Sequence, residues 1–291
     1  MDDPFCGWYF RCQSEDRTLA LIPAVHAAHG NRSGSLQIIS DTGSRTIAFP
    51  GEKACVDKHR PYAVLGNSVF SETGIRLNER RDGISLLGEL CFGDLSRIRY
   101  DMMGPFCCVP FMECRHSIAS MRHTVNGTLW INGAEYRFRD GIGYLEGDRG
   151  RSFPRRYAWT QCFFEGGSLM LSVADIPLGR LCFTGVIGII RVCKKEYRLA
   201  TYLGARAAMI RGGEVLIRQG SMTLYAALQE NKAYALKAPT EGDMTRSIRE
   251  NVSCRALYRF CIGQKTVLSL ETTQAAFEYE YPSLGGSSAE P

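Results

Sequence analysis

Thr128-Leu129-Trp130-Ile131, then Asn132-Gly133, then Ala134-Glu135-Tyr136-Arg137-Phe138: two runs of alternating apolar and polar residues flank a dipeptide that accepts positive φ at both positions. Period-two alternation gives each run one core-facing side, and Asn-Gly closes a two-residue hairpin turn whose twist matches that of its strands. The same unit recurs along the chain. Leu36–Ile39 faces Thr46–Phe49 across Asp41-Thr42-Gly43, Ala205–Ile210 faces Val215–Ile217 across Arg211-Gly212-Gly213, and Met222–Ala227 is set against Ala233–Leu236. Ala256–Phe260, Thr266–Leu270 and Ala275–Tyr281 are strand-like as well. Helical periodicity is nearly absent, with Glu241–Ser253 the best candidate for one helix or a loop turn. Many short strands at near-regular spacing predict an all-β sandwich or barrel.

A chain of 291 residues is long enough for two cores of modest size. Gly7-Trp8-Tyr9-Phe10 near the start is echoed by Tyr157-Ala158-Trp159 near the middle. Length and echo together predict two β units meeting near residue 140, spanning 1–140 and 141–291. The Gly/Ser-rich end, 283–291, reads as a disordered tail.

Composition narrows the function classes. Hydrophobic content of 45% excludes collagen, coiled coil and disorder. The longest apolar runs, such as Val186–Ile190, fall far short of a membrane-spanning helix. The opening Met1-Asp2-Asp3-Pro4 is acidic and lacks an apolar signal core, so the chain reads as soluble and cytoplasmic. A formal charge of +5 is not a nucleic-acid footprint, and no basic-aromatic stripe accompanies it. Of the 35 basic residues 28 are arginine, six of them between Arg137 and Arg156, interleaved with Asp140, Glu146 and Asp148. Guanidinium forks suit carboxylate or phosphate partners; the plainer reading is internal ion pairing on a strand face. Twelve cysteines without a C-x-x-C pair read as buried, reduced thiols. Cys107, Cys108, Cys114 and His116 form the only compact set of soft-metal ligands, but neighbouring side chains on a strand point to opposite faces, so the expectation is no metal.

Most of the chemistry lies between Gly104 and Gln161. An apolar block, Pro105–Met112, ends in Glu113; His116 and His123 follow, and then Tyr144-Leu145-Glu146-Gly147-Asp148-Arg149-Gly150. We read this last stretch as a loop between two strands with carboxylates at i and i+2. On extended backbone these share a face, and like charges in one pocket raise one pKa, leaving an acid able to donate a proton. Surface carboxylates bridged by arginines are the plainer alternative.

The wider stretch, YLEGDRGRSFPRRYAWTQC, resembles the tocopherol cyclase family in retaining Tyr144, Glu146, Asp148, Gly150, Phe153, Pro154, Trp159 and Gln161 of that family's signature. Gly7-Trp8-Tyr9-Phe10-Arg11 is similar to the family's opening, Pro110–His116 to its middle block, and Leu236-Lys237-Ala238-Pro239-Thr240 to its Leu-Arg-Ala-Pro-Thr element. Four blocks in family order cover nearly the whole chain. The departures are Cys6 for Glu, Gly147 for Lys and Arg149 for Trp. The last makes the presumed pocket more polar or suits an anionic substrate.

The resemblance implies two lipocalin-like β units, barrel or sandwich, packed together. It also implies an isomerase-class reaction without cofactor, in which a phenol oxygen adds across a prenyl double bond while an acid protonates the alkene. Asp148 is the first candidate for that acid and Glu146 the second, with Arg149 beside them deciding which is charged. Tyr144 or His116 would orient the phenol or take its proton. Trp8, Phe10, Phe153 and Trp159 would line the cavity, and Glu113, Arg149 and Gln161 would contact the substrate. Each aromatic is also an ordinary core residue, and each histidine an ordinary hydrogen-bonded one. The expected partner is a hydrophobic small molecule, with transient contact at a membrane surface compatible and no nucleic acid. The alternatives are a non-catalytic carrier of a lipid or quinone, or a related hydratase or pericyclase. All of these need a dry cavity.

Overall fold

Wherever the sequence sustains its alternation, the backbone is strand. The computed structural model describes residues 4–81, 83–109, 112–178, 181–230 and 232–282. Among these, the only helical elements are three short 3₁₀ turns, and no helix is long and apolar enough to cross a membrane. Pro110, Phe111 and the 283–291 tail lie outside the described residues.

The chain divides into two compact units. The first is Met1–Phe153 with Tyr234–Ile248, and the second is Pro154–Ala233 with Arg249–Pro291. The expected boundary near residue 140 therefore falls inside a strand. Chain length and the aromatic echo carry no register, and β11 runs through residue 140 as the last strand on its side of the β1 pairing.

The first unit contains β1 (Phe5–Gln13), β2 (Thr18–Ala28), β3 (Asn31–Ser40), β4 (Gly43–Pro50), β5 (Ala54–Val56), β6 (Tyr62–Leu65), β7 (Ser68–Ser71), β8 (Gly74–Arg81), β9 (Ile84–Phe92), β10 (Cys114–Ile131) and β11 (Ala134–Gly150). They form one sheet in the order β4-β3-β2-β1-β11-β10-β9-β8-β7-β6-β5. Sequential hairpins build both arms of this sheet, and a single long-range pairing, β1 with β11, joins them. The decisive hairpin behaves as its sequence dictates. Ile131 pairs with Ala134, and Asn132 and Gly133 adopt φ of 52° and 81°. Leu129, Ile131, Tyr136 and Phe138 enter the core while Trp130 stays 38% exposed. That core also takes Trp8, Phe10, Leu21, Phe49, Leu65, Phe70 and Leu90, so residues from both arms of the sheet close on one interior. Register shifts near Ser120 and Val125 bend the long β10.

The remaining strands are β12 (Tyr157–Phe164), β13 (Gly167–Leu178), β14 (Leu181–Val192), β15 (Lys195–Ala200), β16 (Arg206–Arg211), β17 (Glu214–Gln219), β18 (Met222–Leu228), β19 (Tyr234–Thr240), β20 (Asp243–Ile262) and β21 (Lys265–Tyr279). Their order is β15-β14-β13-β12-β21-β20-β18-β17-β16, with β19 pairing β20 off this path. The second unit repeats the topology of the first: its opening strand β12 lies between its own hairpin partner β13 and its closing strand β21, as β1 lies between β2 and β11. The aromatic echo in the sequence thus marks topologically equivalent strands. Its core joins Ala158, Leu171, Val186, Ile217, Leu224, Tyr258 and Phe277.

Two local expectations change. The 241–253 stretch is not helical: after a turn with positive φ at Glu241 and Gly242, β20 runs through it. Ile248, Glu250 and Val252 are buried against exposed Ser247 and Arg249, a period of two that the polar residues obscure. Met222–Ala227 pairs not with the segment after it but with β17 and β20, while β19 belongs to the first unit, where Gln37 hydrogen-bonds Lys237 in both directions.

If this core carries the fold, Leu129→Ala, which removes a fully buried side chain, should lower unfolding free energy by roughly 2–5 kcal/mol in urea titration. The far-UV circular dichroism of both proteins should lack the helical double minimum.

Candidate functional site

β11 holds the acid-bearing motif as a strand rather than a loop, between β1 and β10. Alternation then sorts its side chains. Leu145 belongs to the first unit's core, and Gly147 pairs with Trp8, whose ring lies over it; a Cβ at 147 would come within 2.6 Å of that ring. This close approach accounts for glycine at the position. Tyr144, Glu146 and Asp148 take the other face. That face is buried too: all nine residues of β1 are buried, including Arg11 at 0% exposure and Tyr9, which stand in register with Tyr144 and Glu146.

The partner strand supplies the cation. His116 on β10 is directly opposite Asp148 and diagonal to Glu146, whose register partner is Ile118. Opposite and diagonal neighbours of an antiparallel pair lie within side-chain reach. His116 Nδ1 is 2.7 Å from Asp148 Oδ1, and Nε2 is 2.9 Å from Glu146 Oε2. The second contact is off the hydrogen-bond line and is mainly an ion pair. Tyr144 donates its hydroxyl to the same Glu146 oxygen at 2.5 Å, and the Cys114 thiol donates to Asp148 Oδ1 at 3.5 Å. Side-chain exposure is 11% for His116, 5% for Glu146 and 22% for Asp148, so Asp148 is the most open of the three.

The electrostatics follow from this packing. Burial works against the His116 imidazolium, but the charges of Asp148 and Glu146 and the hydrogen bond to Asp148 outweigh it and hold the ring's pKa well above the usual histidine value. Tyr144 is pushed well up by burial and then by Glu146, and the Cys114 thiol by burial and then by Asp148; both stay protonated at neutral pH. His123 is the contrast. Among the described residues it has no carboxylate partner; it hydrogen-bonds Ser120 at 3.0 Å and is lowered by burial to about 4.

The four residues expected to carry catalysis therefore meet in one cluster, with Tyr144 and Glu146 buried and His116 and Asp148 half-buried. The cation seated between the carboxylates is His116, where the sequence reading put Arg149; Arg149 alternates to the opposite face of β11, across from Cys6 and Arg115. Trp8 and Phe10 pack in the first unit's core on that opposite side. Phe153 stacks edge-on against Phe5, and the Glu113 carbonyl accepts the amide hydrogens of Arg151 and Ser152. Trp159 and Gln161 are buried in β12 of the second unit. A cleft of about 500 Å³ in the first unit, lined by Cys6, Val25, His26, Val56 and Asp57 among others, does not include the cluster. Tyr9 and Cys114 are the cluster neighbours that the sequence reading missed in this role, and the strand register that places them was the signal.

His116, Glu146 and Asp148 offer ligand atoms within 4.8 Å of one another. Each imidazole nitrogen already faces a different carboxylate, so holding a cation there requires the ring to lose its proton and turn. The four-ligand set of Cys107, Cys108, Cys114 and His116 does not assemble, because Cys114 and His116 face Asp148. All twelve cysteines are free, but only four are buried: five are exposed and three half-buried, against the expectation of buried thiols.

No family model matches the chain, and no curated sequence does. Solved structures do resemble it. Kievitone hydratase from Nectria haematococca shares 10% identity over 95% of this chain and 89% of that one, with a TM-score of 0.56. An AttH-like protein from Nitrosomonas europaea shares 10% over 96% and 93%, also at 0.56. CghA bound to Sch210972 shares 9% over 94% and 88%, at 0.62. At this identity the likeness is one of fold, and it extends over nearly the whole chain.

Proposed function

We propose that this chain is an acid–base enzyme that adds an oxygen nucleophile across a carbon–carbon double bond of a hydrophobic small molecule. Where the nucleophile is a phenol oxygen of the same molecule the product is a ring, the tocopherol cyclase-like outcome; where it is water the reaction is a hydration. The observation that supports this reading is the Tyr144–Glu146–His116–Asp148 chain, in which a protonated imidazole bridges two carboxylates. The fold shared with a hydratase is in keeping with it.

The proposed roles follow from exposure and proton position. Asp148, the most open member, receives the His116 proton and delivers it to the alkene. Glu146, held by Tyr144, faces and stabilises the positive charge that develops on carbon. The nucleophile's O–H then returns its proton to His116, so the site ends as it began. No redox partner is needed for such an addition. A positioned acid contributes about 10²–10⁴-fold, and fixing nucleophile and alkene in contact contributes more.

Incubation with prenylated hydroquinones, followed by mass spectrometry, separates the outcomes: ring closure preserves the substrate mass and hydration adds one water. Asp148→Asn should reduce turnover about 10²–10⁴-fold with the fold intact, and Glu146→Gln should cost less. Ligand binding without turnover, unchanged in Asp148→Asn, would identify a carrier instead.

The histidines give a check that needs no substrate. At pH 7, NMR of ring-labelled protein should show His116 as imidazolium and His123 as neutral imidazole. Because the folded pKa of His116 is raised, its contribution to stability is fully present below its unfolded value of about 6.5 and is lost as pH climbs through the folded value. Turnover should fail along the same alkaline limb, and a neutral His116 at pH 7 would sink the mechanism.

A further inference from the structure

Cys107 and Cys108 end the 3₁₀ turn Gly104–Cys108, and their sulfurs lie 3.6 Å apart. Cys108 is exposed and Cys107 half-buried. The turn is held from β10: Arg115 donates from Nη1 to the Cys107 carbonyl at 2.5 Å and from Nη2 to the Val109 carbonyl at 3.2 Å. The guanidinium fork thereby fixes the backbone on both sides of Cys108 and holds the two side chains on one side of the turn.

We propose that Cys107 and Cys108 form a vicinal dithiol site for thiophilic Lewis acids of the trivalent arsenical type. The spacing favours chelation over oxidation. A disulfide needs sulfurs about 2.0 Å apart on Cα atoms usually ~4.4–6.8 Å apart, whereas adjacent residues are fixed at about 3.8 Å by the trans peptide. A bridging atom needs no S–S bond and takes the sulfurs near their present separation. One thiol hydrogen-bonds the other sulfur, and this contact raises the Cys107 thiol. Reaction with an oxo-arsenical, R–As=O, forms two As–S bonds and breaks the As=O bond. Both thiol protons leave with that oxygen as water, and arsenic stays trivalent. The site is distinct from the acid–base cluster, since Cys114 and His116 are turned to Asp148 and supply no third ligand.

The chelate sets this pair apart from the exposed single thiols Cys55, Cys91, Cys182 and Cys193. Once one sulfur has reacted the second attack is intramolecular, which strengthens binding by about 10²–10⁴-fold. Full-length protein would be treated with phenylarsine oxide, washed with excess 2-mercaptoethanol to strip single-thiol adducts, and weighed by intact mass spectrometry. One arsenical per chain should be retained and then released by dithiothreitol. Cys107→Ser and Cys108→Ser should each weaken retention about 10²-fold or more, while Cys55→Ser leaves it unchanged and circular dichroism confirms that all variants are folded. Loss of all arsenical in the monothiol wash overturns the proposal. So does retention that survives both turn substitutions, which would place the dithiol elsewhere.

Discussion

The pairing of β1 with β11 is the constraint on which the first unit depends. Nine consecutive residue pairs, from Phe5 with Gly150 to Gln13 with Ile142, join the two arms of its sheet. Without it there are two open arms, each with one apolar face and an unpaired edge. With it, Trp8 and Phe10 are driven into the shared core, and Tyr9 and Arg11 are brought beside Glu146 and Tyr144. The second unit repeats the device with β12 and β21, which pair from Ala158 with Tyr279 to Gln161 with Ala276.

The same pairing accounts for the chemistry of the cluster. A strand covered on both faces ordinarily carries apolar residues throughout. β11 places two carboxylates there, and removing charge from water is costly unless opposite charge and hydrogen bonds compensate. His116 supplies the charge, with one nitrogen to each carboxylate, and Tyr144 and Cys114 supply protons to the remaining lone pairs. Deleting the imidazole would leave two acids facing one another in a largely buried site, a loss of the kind that costs up to roughly 3–5 kcal/mol. Under the proposed mechanism, function and stability are coupled at His116.

Much of this was legible in the sequence because it rests on local rules. The Asn132-Gly133 turn, the period-two strands and the shared face of Tyr144, Glu146 and Asp148 need only backbone geometry. The role of His116 was harder to see. It is 30 residues from Glu146 in sequence (146 minus 116), and only the β10–β11 register, with its shifts near Ser120, places it between the carboxylates. Arg149 looked like the natural partner because it is adjacent in sequence, yet adjacency on a strand means the opposite face. The 241–253 segment hides its period for a different reason: with Ser247 and Arg249 on its outer side and polar Arg246 and Glu250 on its inner one, its alternation is carried by only a few apolar buried positions. A boundary near residue 140 falls within β11, and the return of β19 to the first unit after the second has begun leaves no local signal in the sequence.

The closure of each unit by its first and last strands also sets a timetable for synthesis. β1 leaves the ribosome well before β11: Gln13 meets Ile142 only about 130 residues later, which at ~5–20 residues per second is a wait of roughly 7–30 seconds. Through that interval one edge of β1 is unpaired, with Trp8, Tyr9 and Phe10 uncovered. β19 and the start of β20 arrive later still, so the first unit is completed only when most of the second has been made. Long-range pairing of this kind folds slowly and exposes sticky edges while it waits. That exposure is written into which strands the chain pairs, and it is greatest for nascent chains that stop short of residue 150.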